Sequence, residues 1–66
     1  MKIILNGTAR EVANPLTIGG LLVELNLAGM PVVVEQNQLA LLPREVENAA
    51  ISDGDVIEII QITAGG

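Results

Sequence analysis

The chain has 66 residues and a net charge of −5; half its residues are apolar, and it has no Cys, His, Phe, Tyr or Trp. That length holds one domain, and the missing Cys and His exclude disulfides, thiol nucleophiles, the usual zinc ligands and an acid–base group titrating near neutral pH. Three cations neutralise too few phosphates for nucleic-acid binding, and no apolar run is long enough to span a membrane.

The core has to be built from Ile, Leu, Val and Ala, so several elements must interlock closely. "MKIIL" begins like a signal peptide, but its apolar run is too short. The expectation is a cytoplasmic protein, and the acidic balance suits a partner with a basic surface.

"KIIL" reads as a strand and "AREVA" as its return. Between them Asn6-Gly7 is the strongest short hairpin signal. Asn6-Gly7-Thr8 also spells a glycosylation sequon, and with no secretory signal the turn reading is preferred. Asn14-Pro15 breaks the pattern. Ile18, Leu21, Leu22 and Leu25 then fall on one helical face. Thr17 suits the N-cap, and Leu16 and Leu21 suit a hydrophobic staple. Gly19 and Gly20 each cost about 1 kcal/mol against Ala inside a helix, and less in its first turn. We read them as a tolerated weak first turn rather than as close approach of another backbone. Gly29 and Pro31 are expected to end the helical region.

"VVVEQ" reads as a third strand and "LALLP" as a short fourth, stopped by Pro43. "REVENAAIS" is a connection with room for one helical turn; Glu45 and Glu47 read as solvated. "DGD" is a turn. Asp53 and Asp55 lack the remaining ligands of a calcium loop, so no metal is expected. "VIEIIQI" is the strongest strand and, being an aggregation hazard at an edge, belongs mid-sheet beside the first strand. A parallel pairing there leaves room for a crossover.

The order β-β-α-β-β-β predicts an α+β fold, a mixed sheet of four to five strands with one amphipathic helix across one face. Side chains alternate along a strand, and Glu58 belongs outside. Ile57 and Ile59 should therefore pack under the helix with Ile3 and Leu5. Ile4, Ile60 and Ile62 are left on the bare face, next to the chain end, as a candidate docking patch. We divide the chain into a folded body, residues 1–62, and a flexible tail, residues 63–66.

The tail ends in "AGG". Two residues without Cβ add no packing and order at high entropic cost, so the pair is either idle fray or a thin stalk carrying a carboxylate. "MKIILNG", "LTIGGLLVEL", "PRE" after the fourth strand, "DGD" before the last and the terminal "AGG" occur in one order over essentially the whole chain. In this the chain resembles the small sulfur carriers of thiamin biosynthesis, the ThiS family, with a ubiquitin-like β-grasp fold. The chain departs from that pattern in two places. "EQNQLALLP" lacks the usual Asn-Gly turn and reads about a residue longer, and Ile60 stands where an aromatic is common.

The resemblance implies that Gly66 is the modified residue, reached through Ala64 and Gly65. Its carboxylate would be adenylated by an enzyme similar to the ubiquitin-activating enzymes, which consumes ATP, and then converted to a thiocarboxylate. The sulfur would pass to thiazole synthase. The chain itself would be a monomer with no bound cofactor and no catalytic residue. Sister readings are a carrier like the small subunit of molybdopterin synthase, a ubiquitin-related modifier, or a non-catalytic ubiquitin-like interaction module.

Overall fold

The computed structural model describes residues 1–14 and 16–63. Strands β1 (Lys2–Leu5) and β2 (Thr8–Glu11) form the first hairpin, with Ile3 opposite Arg10. Asn6 and Gly7 have φ of 49° and 83°, the two left-handed residues of a type I′ turn that matches strand twist. Beyond the pair, Met1 and Val12 exchange backbone hydrogen bonds of 2.8 and 2.9 Å.

A two-residue strand β3 (Leu16–Thr17) leads into helix α1 (Ile18–Glu24). The first helical N–H groups have no partners within a helix, and here the tertiary fold supplies them. Ile18 N–H donates to Ala49 O (2.8 Å), Gly19 N–H to Glu47 O (3.1 Å) and Gly20 N–H to Thr17 Oγ1 (3.1 Å). The expected N-cap is therefore in place. The reading of Gly19 as a merely tolerated weak residue is corrected: a Cβ there would lie 2.6 Å from the Glu47 carbonyl oxygen. Its missing side chain admits another backbone. At Gly20 the corresponding neighbour is only the tip of Leu16, Cδ1 at 2.7 Å.

The helix ends before Gly29. Asn26, at φ 60°, takes the left-handed position that follows it. Leu27 N–H donates to Leu22 O (2.8 Å) and Asn26 N–H to Val23 O (3.1 Å). This is a Schellman motif with Asn in the usual place of Gly, and it stops the helix a turn earlier than the composition suggested.

Strands β4 (Val32–Gln36) and β5 (Leu39–Ala40) form a second hairpin with Gln36 opposite Leu39. The turn is therefore only Asn37 and Gln38, at φ 52° and 70°. It is as tight as the first, contrary to the longer connection read from "EQNQLALLP", and Gln38 occupies a left-handed site without being Gly. Helix α2 (Pro43–Val46) is one turn, begun by a proline whose missing N–H costs nothing there. Glu45 Oε1 accepts from Leu42 N–H (2.8 Å). Strand β6 (Ala50–Ile51) pairs with β3, and β7 (Val56–Gln61) closes the sheet.

The main sheet runs β2-β1-β7-β4-β5, with β7 central, parallel to β1 and antiparallel to β4. Helix α1 sets Ile18, Leu21 and Leu22 against Ile3, Val34, Ile57 and Ile59; Val12 and Ile51 complete the cluster, and Leu5 packs on its margin. Each fully buried Ile or Leu contributes about 1.5–3 kcal/mol, which a chain this small needs. The five-stranded mixed main sheet, the helix α1 across one face, the central β7 and the inward Ile57 and Ile59 match the expectation.

Candidate functional site

Alternation along β7 separates two environments. Ile57 and Ile59 are buried, while Val56, Glu58 and Ile60 face away from the helix and are exposed. Ile60 sits opposite Val33 of β4. Ile62 follows just beyond the strand, where its N–H donates to Pro31 O (2.9 Å). Ile60 and Ile62 are each 53% exposed, and Val33 is exposed beside them. These three form an apolar group where the described chain leaves the sheet.

Ile4 stands apart from them. It is half-buried and level with Val56, four residues from Ile60, or about 13 Å along the strand. Glu58 lies between. The structure thus brings two of the three patch residues together, adds Val33, and groups Ile4 with Val56 further down the same face. Val33 could have been found from the alternation in "VVVEQ", but only once its register with β7 was known.

Glu58 lies directly opposite Glu35. With Gln38 and Val56 they line a shallow depression of about 280 Å³ on the bare face. A larger groove of about 420 Å³ runs on the helix side, where Leu22, Val23, Met30 and Val46 are among its lining residues.

The site's backbone is held by amide side chains. Asn6 Oδ1 accepts from Ile59 N–H (2.9 Å) and its Nδ2 donates to Ile59 O (3.4 Å), which carries the β1–β7 ladder past the end of β1. At the other end of β7, Asn37 Oδ1 accepts from Val56 N–H (2.9 Å). Asp55 accepts from Ser52 N–H (2.9 Å), Asn37 Nδ2 (3.0 Å) and Gln36 Nε2 (2.9 Å). Partial burial opposes its charge, but the Ser52 N–H and then the Asn37 and Gln36 amides outweigh that and hold its pKa below the ordinary value. Asp53 Oδ1 accepts from Lys2 N–H (2.7 Å). Both aspartates of "DGD" therefore serve the turn.

Ala64, Gly65 and Gly66 lie outside the described residues. Among the described residues there is no cluster of three potential metal-ligating side chains and no helix long and apolar enough to cross a membrane.

A sequence model of the ThiS family matches residues 3–66. The chain is 36% identical over 67 residues to a thiazole synthase from Paramagnetospirillum magneticum, in an alignment covering 100% of this chain and 20% of that protein. It thus spans about a fifth of that relative's length. Among solved structures it resembles the crystal structure of a thiamine biosynthesis protein, ThiS, from Geobacter metallireducens, with TM-score 0.83, 30% identity and full coverage of both chains. A solution NMR structure of a thiamine biosynthesis protein from the same organism matches with TM-score 0.82 at 30% identity, covering 100% of this chain and 88% of that one.

Proposed function

We propose a function from one premise: the chain belongs to the ThiS family. It is a sulfur carrier of thiamin biosynthesis, and its working group is the main-chain carboxylate of Gly66. A carboxylate is a poor acyl donor because its oxygen leaves badly. Reaction with ATP on a ubiquitin-activating-enzyme-like adenylyltransferase joins it to AMP and releases pyrophosphate. A sulfide-equivalent nucleophile then attacks the carbonyl carbon, AMP leaves, and a thiocarboxylate remains. Its sulfur, a stronger nucleophile than oxygen, bonds to the acceptor on thiazole synthase; hydrolysis of the acyl C–S bond then leaves the sulfur there and returns the Gly66 carboxylate.

The observation that carries this reading is the family match, which extends through Gly65 and Gly66. The relative named a thiazole synthase, a fifth of which aligns with the whole of this chain, supports that acceptor. Chemistry supports the glycines: without Cβ they fit a narrow enzyme channel and reach backbone angles closed to other residues. The folded body is the handle, a monomer that docks through Ile60, Ile62 and Val33, with Ile4 at the margin. No group of the chain performs the catalysis.

The test is incubation with the adenylyltransferase and ATP. Pyrophosphate release is expected from the native chain and is expected to vanish when one residue is added after Gly66. Undiminished turnover by the extended chain would overturn the proposal. Carrier isolated from its own cell should bear a C-terminal thiocarboxylate. The mass shift has to be located in a C-terminal fragment, because oxidation of Met1 or Met30 mimics it.

A further inference from the structure

We propose that Glu35 and Glu58 form a receptor for a basic side chain of the docking partner, a guanidinium above all. The inference rests on the carrier reading and names the chemistry that its docking face selects. Three observations carry it. First, the two carboxylate-bearing residues are direct cross-strand neighbours, a placement that puts Cβ atoms about 4.5–5.5 Å apart and is unfavourable for like charges. Second, the fold places no described cation in an ion pair with either carboxylate. Among the described residues the one ion pair joins the Met1 amino group to Glu11 (3.9 Å). Lys2, on the same face, sits opposite Glu11 and about 13 Å down the sheet from Glu58. Third, the pair stands between two exposed apolar groups, Val33 with Ile60 on one side and Val56 on the other, over a shallow depression that Gln38 also lines.

An apolar face interrupted by paired carboxylates fits a partner surface of matching layout: apolar, with one arginine at its centre. Arginine suits the place better than lysine, because its planar fork can donate to two carboxylates at once. The arrangement also discriminates. A partner presenting an acidic or purely apolar surface would leave both charges desolvated and unpaired, and charge complementarity of this kind sets specificity and encounter rate more than bulk affinity. A second copy of the chain is a poor occupant, since it would bring two more carboxylates to the same place.

The experiment uses the full chain and the adenylyltransferase, with pyrophosphate release as readout. The double variant Glu35→Gln/Glu58→Gln should raise KM about tenfold at low salt with kcat unchanged, and the difference should close as ionic strength screens the pair. A KM equal to that of the native chain at low salt overturns the inference and leaves the carrier function standing. Absence of pyrophosphate from the native chain instead overturns the carrier reading and the inference with it. The free double variant should unfold no more easily than the native chain. A lower midpoint would show that the carboxylates hold the fold together, which also overturns the inference. Sedimentation of the native chain should give a monomer; a dimer abolished by Ile60→Glu would assign the face to a second copy and refute the arginine partner.

Discussion

Alternate residues of β7 lead opposite lives. Ile57 is fully buried, and Ile59 is nearly so under α1; Ile60, one step on, is half open to solvent. The residue types scarcely differ, so hydropathy does not say which face is core. The helix decides it, and α1 covers one face only. On the covered side apolar surface is removed from water and stabilises the fold. On the bare side the same side chains contribute little to folding, and Glu35 stands opposite Glu58, a placement unfavourable for like charges. The covered face serves folding, and the bare face leaves its side chains open to solvent.

Truncation is the strongest way to break that contrast. Ile57→Ala should destabilise the chain by about 2–5 kcal/mol, whereas Ile60→Ala should stay within about 0.5 kcal/mol of the native value. Urea unfolding of the two variants measures this directly; equal losses would mean that the two faces are energetically alike. A smaller effect sharpens the covered side. Gly19→Ala gains helix propensity, yet its Cβ meets a backbone oxygen that cannot rotate away. Overpacking should win, with a net loss of about 1–3 kcal/mol. A stabilised variant would show that α2 yields easily.

The smallest effect belongs to the rim, where Asp55 ties the β4–β5 turn to the start of β7. Asp55→Asn should cost about 0.5–1.5 kcal/mol near neutral pH. Because folding lowers the Asp55 pKa, its contribution is fully present above the unfolded carboxylate pKa and is lost as pH falls through the lower folded value. The gap between native chain and variant should therefore narrow in acid, which thermal unfolding across pH 2–7 would detect. A gap independent of pH would mean that the charge of Asp55 is irrelevant to the turn.

Much of this was legible in the residues. Asn6-Gly7 announced its turn, the spacing of Ile18, Leu21 and Leu22 its helix, and Glu58 the parity of the last strand. Failures came where tertiary contacts overrode local pattern. Gly19 looked like a weak helical residue because its neighbour, Glu47, is far along the chain. Asn26 ends the helix through hydrogen bonds that composition does not display, so Gly29 drew the attention. Strands β3 and β6, two residues each, are too short to show a period. Of the candidate site, the outward residues of β7 were readable, but Val33 and the opposition of Glu35 to Glu58 depend on register, which no single strand reveals. The role proposed for Gly66 rests on family resemblance together with carboxylate chemistry.

The last described residues emerge from the centre of the sheet rather than from an edge. A pull on Thr63 directed along β7 would load the ladders to β1 and β4 together, in shear, instead of peeling them one bond at a time. The Asn6 amide adds two further attachments at Ile59. Tension applied at this end therefore carries little risk of unravelling the domain behind it. The strand that contributes most to the core is also the one mechanically suited to bear tension.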